Sequence, residues 1–199
     1  MTKRLVYICD WLPPDFGAVG QYAMLGAREW ATNGWGVTLV GLTSGESNRQ
    51  SAKPIGEGSL EVIRVHRRTY QKQKFASRLV WTIVANVVLL GAAFSAMHRA
   101  EAVLFTGSPP LMLHFIAPLN VLLRKRLIYR IMDFYPECLI AERGSGLMLR
   151  GLLRLTYFWR RRVDAFEVLG LDQARRLTDI GIPKERIRLK PNPSPVSFT

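Results

Sequence analysis

The stretch Leu5-Val-Tyr-Ile-Cys-Asp10-Trp-Leu-Pro-Pro-Asp15-Phe-Gly17-Ala-Val-Gly20-Gln-Tyr-Ala23 decides the fold class. A short apolar run ends at Asp10, a loop of prolines and small residues follows, and a helical pattern begins at about Val19. This is the strand, loop and helix of a βα unit. In a doubly wound sheet, ligands sit outside the carboxyl ends of the strands. A loop of small residues there lets backbone N–H groups approach a phosphate at the helix N-terminus. Gly17, Ala18, Val19 and Gly20 are the candidates for such a diphosphate loop. The plainer alternative is that the two glycines only turn the chain, since no G-x-G-x-x-G pattern is present. No Walker lysine follows, which argues against a P-loop NTPase.

Outward from this unit the pattern repeats. Strands are predicted at about 4–9, 36–42, 60–66, 101–106, 127–132, 164–169 and 186–190, and helices at about 19–33, 76–98, 111–124, 147–161 and 171–180. Asn33-Gly34 and Gly181-Ile-Pro183 are C-terminal stop signals for the first and last helices. Residues 43–59 read as a polar loop. The alternation predicts an α/β fold, a Rossmann-like three-layer sandwich with a mostly parallel sheet of about seven strands. The run Lys190-Pro-Asn-Pro-Ser-Pro195 reads as a stiff linker. The expected organisation is therefore a domain over 1–190, a linker starting at 191–199, and a second domain elsewhere in a longer protein.

The 199 residues are 48% hydrophobic and 22% charged, a composition that excludes disorder, collagen and coiled coil. Cys9 and Cys138 stand in no ligand spacing and read as reduced thiols. His66, His98 and His114 are isolated, so metal independence is the default. The start lacks the uninterrupted apolar segment and cleavage site of a signal peptide, so a cytoplasmic location is expected. The formal net charge of +13 implies an anionic partner. Without a zinc spacing, RNP-like sequence or recognition-helix pattern, nucleic acid is not the expected one.

Two basic segments point instead to a membrane surface. Arg64, Arg67, Arg68, Lys72, Lys74 and Arg78 precede Trp81 and the uncharged stretch 79–97, which reads as a helix buried on a sheet or dipping into the interface rather than a span. Arg150, Arg154 and Arg161 share one face of the helix at 147–161. The alternative for each is an ordinary solvated face. At the sheet edge, Thr106-Gly-Ser-Pro-Pro110 and Met132-Asp-Phe-Tyr-Pro-Glu137 each follow a strand. Asp133 and Glu137 would bind hydroxyls there, or Asp133 would serve as a turn or helix cap.

In this order the motifs resemble the N-terminal domain of family 4 retaining glycosyltransferases of GT-B architecture. The resemblance rests on Pro13-Pro-Asp-Phe-Gly-Ala-Val-Gly20, Asn33-Gly-Trp-Gly-Val-Thr-Leu-Val40, Thr106-Gly-Ser-Pro-Pro110, Asp133-Phe-Tyr-Pro-Glu137, Arg162-Val-Asp-Ala-Phe-Glu-Val-Leu169, Gly181-Ile-Pro-Lys-Glu-Arg-Ile187 and Lys190-Pro-Asn192, and covers essentially the whole chain. It implies an acceptor-side domain whose partner domain binds the nucleotide diphosphate sugar. Acceptor contacts would come from Asp15, Ser108, Asp133, Tyr135 and Glu137, and no metal or other cofactor would take part. Family members commonly carry two glycines where this chain has Gly17-Ala18, and Ala accepts positive φ less readily than Gly. The form of the Asp133 motif and its basic, apolar flanks look like members that extend lipid-linked glycans for surface polysaccharide at the inner face of the cell membrane. A stand-alone Rossmann nucleotide-binding enzyme and a basic nucleic-acid module are the rival readings.

Overall fold

The computed structural model describes residues 3–15, 17–68 and 75–192; Lys72, Lys74 and residues 193–199 lie outside them. Among the described residues eight strands run in chain order as β1 (Arg4–Trp11), β2 (Gly36–Thr43), β3 (Asn48–Ile55), β4 (Gly58–His66), β5 (Ala102–Thr106), β6 (Arg126–Ile131), β7 (Ala165–Val168) and β8 (Ile187–Leu189). They form one sheet in the order β3-β4-β2-β1-β5-β6-β7-β8. All neighbours are parallel except β3 and β4. The helices are α1 (Ala18–Thr32), α2 (Phe75–Arg99), α3 (Met112–Leu123), α4 (Glu137–Arg143), α5 (Leu147–Arg160) and α6 (Leu171–Asp179), with a 3-10 turn at Lys184–Arg186.

Side-chain alternation along the strands sorts the core into two layers. Val6, Ile8, Val103, Phe105, Leu127, Tyr129, Phe166 and Val168 face α2, α3 and α6, with Trp159 of α5 against them. Leu5, Tyr7, Leu39, Val62, Leu104 and Ile128 face the other way, toward Ala23, Ala27 and Ala31 of α1. The short alanines bring α1 close to the sheet. Gly34 then ends α1 with a positive φ of 85°, the left-handed conformation that suits glycine, as the Asn33-Gly34 signal predicts.

Two elements differ from the sequence expectation. The predicted loop at 43–59 contains β3, an antiparallel edge strand paired to β4 from Asn48 with Arg64 to Ile55 with Gly58. Its residues are exposed except for Ile55, so neither face carries an apolar alternation to read. Pro54 is tolerated because an edge strand leaves part of its N–H row unpaired. The second is α4, a two-turn helix whose seven residues are too few for a helical period to emerge.

Candidate functional site at the carboxyl edge of the sheet

From β1 the chain moves to one side through β2, and later returns on the other side at β5. The loops after β1 and β5 therefore diverge, and the crevice between them is the ligand position of an open parallel sheet. Asp10 and Trp11 close β1 at this point. Beyond β5, Thr106 Oγ1 donates to the Ser108 carbonyl at 2.8 Å and shapes the loop. Ser108 Oγ in turn donates to Asp10 Oδ2, joining the two strand ends. On the third side stands the start of α2, fixed by Asn86, whose Nδ2 donates to the Pro110 carbonyl at 2.9 Å. Asn86 is wholly buried, and its Nδ2 also donates to the Thr82 carbonyl at 2.8 Å, which gives the amide inside this apolar helix two acceptors.

These elements enclose a cavity of about 110 Å³ lined by Asp10, Trp11, Arg78, Trp81, Thr82 and Ser108. Trp11 and Trp81 stack with ring centroids 5.9 Å apart and planes 22° from parallel. Trp81 Nε1 donates to the Arg68 carbonyl at 2.8 Å, which fixes the indole. Asp10 Oδ1 is buried without a hydrogen-bond partner among the described residues. Burial pushes the Asp10 carboxyl above its ordinary range, against the lowering effect of the Ser108 hydrogen bond. The backbone N–H groups of Asp10 and Trp11 act on the carboxylate in the same lowering sense as Ser108, and a carboxylate so placed beside an aromatic wall can accept from a sugar hydroxyl while a ring rests on the indoles. Sequence reasoning missed Asp10, which looked like the end of a strand. The signal was an acid closing the first strand of a doubly wound sheet. Larger cavities, of about 330 Å³ beside Trp30 and Trp35 and about 260 Å³ around Arg4 and Thr38, lie away from this edge.

The β1–α1 loop is braced from behind. Thr43 Oγ1 donates to Asp15 Oδ2 at 2.8 Å, the Ser44 backbone N–H donates to it at 3.0 Å, and Ser44 Oγ donates to Oδ1. Burial opposes ionisation of Asp15, but the hydrogen bonds from Ser44 and Thr43 and the charge of Arg64 together hold the carboxyl below its ordinary value. Both oxygens are thus engaged by the end of β2, and Asp15 positions the loop rather than offering itself to an acceptor. Arg64 Nε donates to the Pro13 carbonyl at 3.0 Å from the inner face of β4. Expected at the membrane, Arg64 is buried, because it continues the inward alternation of Leu60 and Val62.

Gly17 caps α1 in extended backbone, with no side chain capping the helix and no acid in its first turn. Among the described residues no side chain caps the first-turn N–H groups of α1, as an anion site needs. Ala18 already lies in the helix, so the Gly17-Ala18 departure calls for no positive φ. Gly20 is required for a different reason. A Cβ there would lie 1.7 Å from the Trp11 carbonyl oxygen, so the glycine lets α1 lie against β1. Gly20→Ala is expected to cost about 1–3 kcal/mol through overpacking. At roughly 2–4 °C per kcal/mol for a chain of this size, a thermal melt reads this directly, and an unchanged Tm would contradict the packing. Gly17→Ala, whose Cβ meets Trp11 at an ordinary 3.4 Å, is the matched control.

The turn after β6 separates its predicted residues. Asp133 is exposed, and the cap position of α4 is Pro136, so Asp133 is not that helix's cap. Glu137, expected to bind acceptor, is instead paired with fully buried Arg160: Nη1 bonds Oε1, and Nη2 donates to Oε2 at 3.1 Å. Arg160 Nη2 also donates to the Tyr135 carbonyl at 3.2 Å. Of the other cations expected at a membrane, Arg68, Arg78, Arg150, Arg154 and Arg161 are exposed and Arg67 is half-buried. Among the described residues, no group of three or more His, Cys, Asp or Glu side chains could hold a metal ion.

Residues 77–99 of α2 are long and apolar enough to cross a membrane, yet 28% of the most apolar part of this helix is buried in the fold. The buried face is Ala85, Leu89, Ala93 and Met97, which lies on the sheet, while Val80, Ile83, Val87 and Phe94 are exposed on another face. Val121 and Leu122 of α3 and Leu147, Met148, Leu155 and Phe158 of α5 are exposed as well. Since α3 packs between α2 and α5, all three helices belong to one layer.

No sequence-family profile matches the chain, and no curated protein does. Solved structures do share the fold. The calicheamicin glycosyltransferase CalG4 superposes with a TM-score of 0.60 at 14% identity, over 96% of this chain and 53% of that one. Anabaena Alr3699/HepE, solved with UDP and glucose, gives a TM-score of 0.51 at 14% identity, over 96% of this chain and 44% of that one. The shared architecture is a Rossmann-like three-layer α/β half-domain with a mostly parallel sheet. The chain spans about half the length of these solved proteins.

Proposed function

We propose that this chain is the acceptor-side half of a family 4 glycosyltransferase. The enzyme moves a hexose from a nucleotide diphosphate sugar, with retained configuration and without a metal, to a lipid-linked glycan of surface polysaccharide synthesis. The reading is supported by one observation above all: α2 supplies both a wall of the Asp10 cavity, through Arg78, Trp81 and Thr82, and the exposed apolar stripe at Val80, Ile83 and Val87. An acceptor pocket whose wall is also the apolar surface suits an acceptor that is itself anchored in lipid. The cations at Arg68, Arg78, Arg150, Arg154 and Arg161 add attraction to an anionic inner leaflet, and the protein sits there as a peripheral cytoplasmic enzyme.

In this reading the acceptor sugar rests on Trp11 and Trp81, and Asp10 accepts a hydrogen bond from the hydroxyl that attacks the donor's anomeric carbon. The hydroxyl attacks on the face from which the diphosphate departs, and its proton passes to the departing diphosphate oxygen as the bond from the anomeric carbon to that oxygen breaks. The diphosphate leaves toward the N–H groups at Gly17, Ala18, Val19 and Gly20, which face its growing charge. The donor sugar and nucleotide belong to the other half of the enzyme. Asp133, exposed beside the same edge, extends the acceptor surface.

The deciding experiment is sugar transfer by the chain joined to its donor-side half, against the chain alone, with a panel of nucleotide sugars and a polyprenyl-diphosphate glycan. Transfer by the joined protein only is expected. Tight nucleotide binding and turnover by the chain alone would replace this reading with a stand-alone enzyme. For the membrane, flotation with phosphatidylglycerol vesicles is expected to capture the chain, and Val80→Asp with Val87→Asp to weaken capture by at least tenfold, since burying each valine is worth about 1.5 kcal/mol or more. Capture that ignores both substitutions would reject α2 as the docking face.

A further inference from the structure

Another cavity lies behind the β1–α1 loop, between α1 and the β3–β4 hairpin, with a volume of about 190 Å³. The pairing registers show why its walls are basic. Lys53 stands opposite Leu60 and Gln50 opposite Val62. Directly opposed residues share a face, so both lie on the α1 side of the sheet with Leu60, Val62 and Arg64. From α1, Met24 and Arg28, one turn apart, close the other side. Arg28, Lys53 and Arg64 thus line one cavity, with Gln50 and Ser51 as uncharged polar groups and no carboxylate among its lining residues.

Arg64 is the residue that makes this more than a basic surface. It is 9% exposed, and its Nη1 is buried with no hydrogen-bond partner among the described residues. Buried guanidinium groups ordinarily satisfy all their donors. Arg64 Nε is committed to the Pro13 carbonyl, and Asp15, the carboxylate that feels its charge, is occupied by Thr43 and Ser44. Glu61, the nearby acid of β4, faces the opposite side and pairs with Arg49 at 2.6 Å. Asp15 offsets part of the Arg64 charge from beside the loop, and among the described residues no carboxylate lines the solvent-accessible space that Arg28, Lys53 and Arg64 share. A water's share of liquid volume is about 30 Å³, so the cavity has room for a tetrahedral oxyanion and a few waters.

We propose that this cavity binds a phosphoryl group, separately from the diphosphate loop at Gly17 to Gly20. The guanidinium forks of Arg28 and Arg64 suit bidentate contact with phosphate oxygens, and Lys53 adds a point charge. Because Arg64 also holds Pro13, a bound phosphoryl group would reinforce the brace behind the β1–α1 loop. The group can arrive as free phosphate or pyrophosphate, or as a lipid headgroup, and the chemistry recognised is the same.

The test is titration of the 199-residue chain with sodium pyrophosphate, followed by calorimetry and by NMR of backbone amides and arginine Nε–H groups. Saturable binding is expected, with shifts at Gln50, Ser51 and Arg64. Arg28→Ala with Lys53→Ala, both at exposed positions that the fold tolerates, is expected to weaken it at least tenfold. Arg150→Ala with Arg154→Ala is expected to leave it unchanged. Vesicles containing phosphatidic acid form a second arm, and shifts at Arg64 with vesicles but not with pyrophosphate would identify a headgroup as the source. Three results would overturn the proposal: unsaturable binding in both arms, equal loss in the two double variants, or pyrophosphate shifts confined to residues 17–20. It does not depend on sugar transfer, so an inactive joined enzyme would leave it standing.

Discussion

Asp10→Asn is expected to lower kcat/KM for the acceptor by about 10- to 100-fold in the joined enzyme, with KM for the nucleotide sugar little changed. The magnitude follows from losing a hydrogen bond to a charged group, worth about 1.5–3 kcal/mol. Asn keeps an oxygen for Ser108, so the joint between β1 and β5 survives, but it presents an NH2 group where the carboxylate had its second acceptor oxygen. Ser108→Ala should act more weakly and in the same direction, since Ser108 only steers Asp10. The pH profile gives an independent check. Activity that needs ionised Asp10 falls on the acid side at a higher pH than an ordinary carboxylate would allow, because burial raises this group. Asn removes that limb.

Stability is expected to move the other way. The folded protein raises the Asp10 carboxyl above its unfolded value, so the protonated form is the one the fold favours. That contribution is complete below the unfolded pKa and is lost as pH rises through the folded pKa. At neutral pH the wild type therefore carries a charge in a partly dry site, and Asp10→Asn is expected to melt at or above the wild-type temperature. The difference should shrink as the pH approaches 4 and Asp10 is neutralised. A variant that loses both activity and Tm at neutral pH would mark Asp10 as a structural acid and reject the acceptor role.

What could be read from residues alone followed the strength of local signals. β1, β2 and the Asn33-Gly34 stop announce themselves because buried parallel strands are continuous apolar runs and α1 must end in a left-handed residue. β3 had no such voice, since an edge strand with seven of its eight residues exposed is polar on both faces. Arg64 was legible in principle. Leu60, Val62 and Arg64 alternate, and counting by two from Leu60 turns the arginine inward, but grouping it with Arg67 and Arg68 by charge hid the period. Asp15 and Glu137 show the complementary limit. An acid at the carboxyl edge of a sheet can face a ligand or lock a loop, and only the positions of Thr43, Ser44 and Arg160, distant in sequence, decide which.

Glu137→Gln separates these two roles sharply. If Glu137 served the acceptor, the substitution would raise the acceptor KM and leave folding untouched. The geometry says otherwise. Arg160 is fully buried and bonded to both Glu137 oxygens, under the Phe134 ring at 4.9 Å. Removing the negative charge leaves a guanidinium uncompensated in the core, a change that costs about 3–5 kcal/mol for a wholly buried pair. Glu137 retains 20% exposure of its side chain, so water can screen part of the loss, and the lower end, about 3 kcal/mol, is the expected value. That corresponds to a fall of roughly 6–12 °C in Tm. Below the new transition the acceptor KM should stay within about twofold of wild type, because the pair shapes the turn after β6 without lining the Asp10 cavity. Arg160→Met with Glu137→Gln should recover much of the lost stability, since replacing both charges with groups of similar shape removes the orphan. A KM effect without a Tm effect would return Glu137 to the acceptor site.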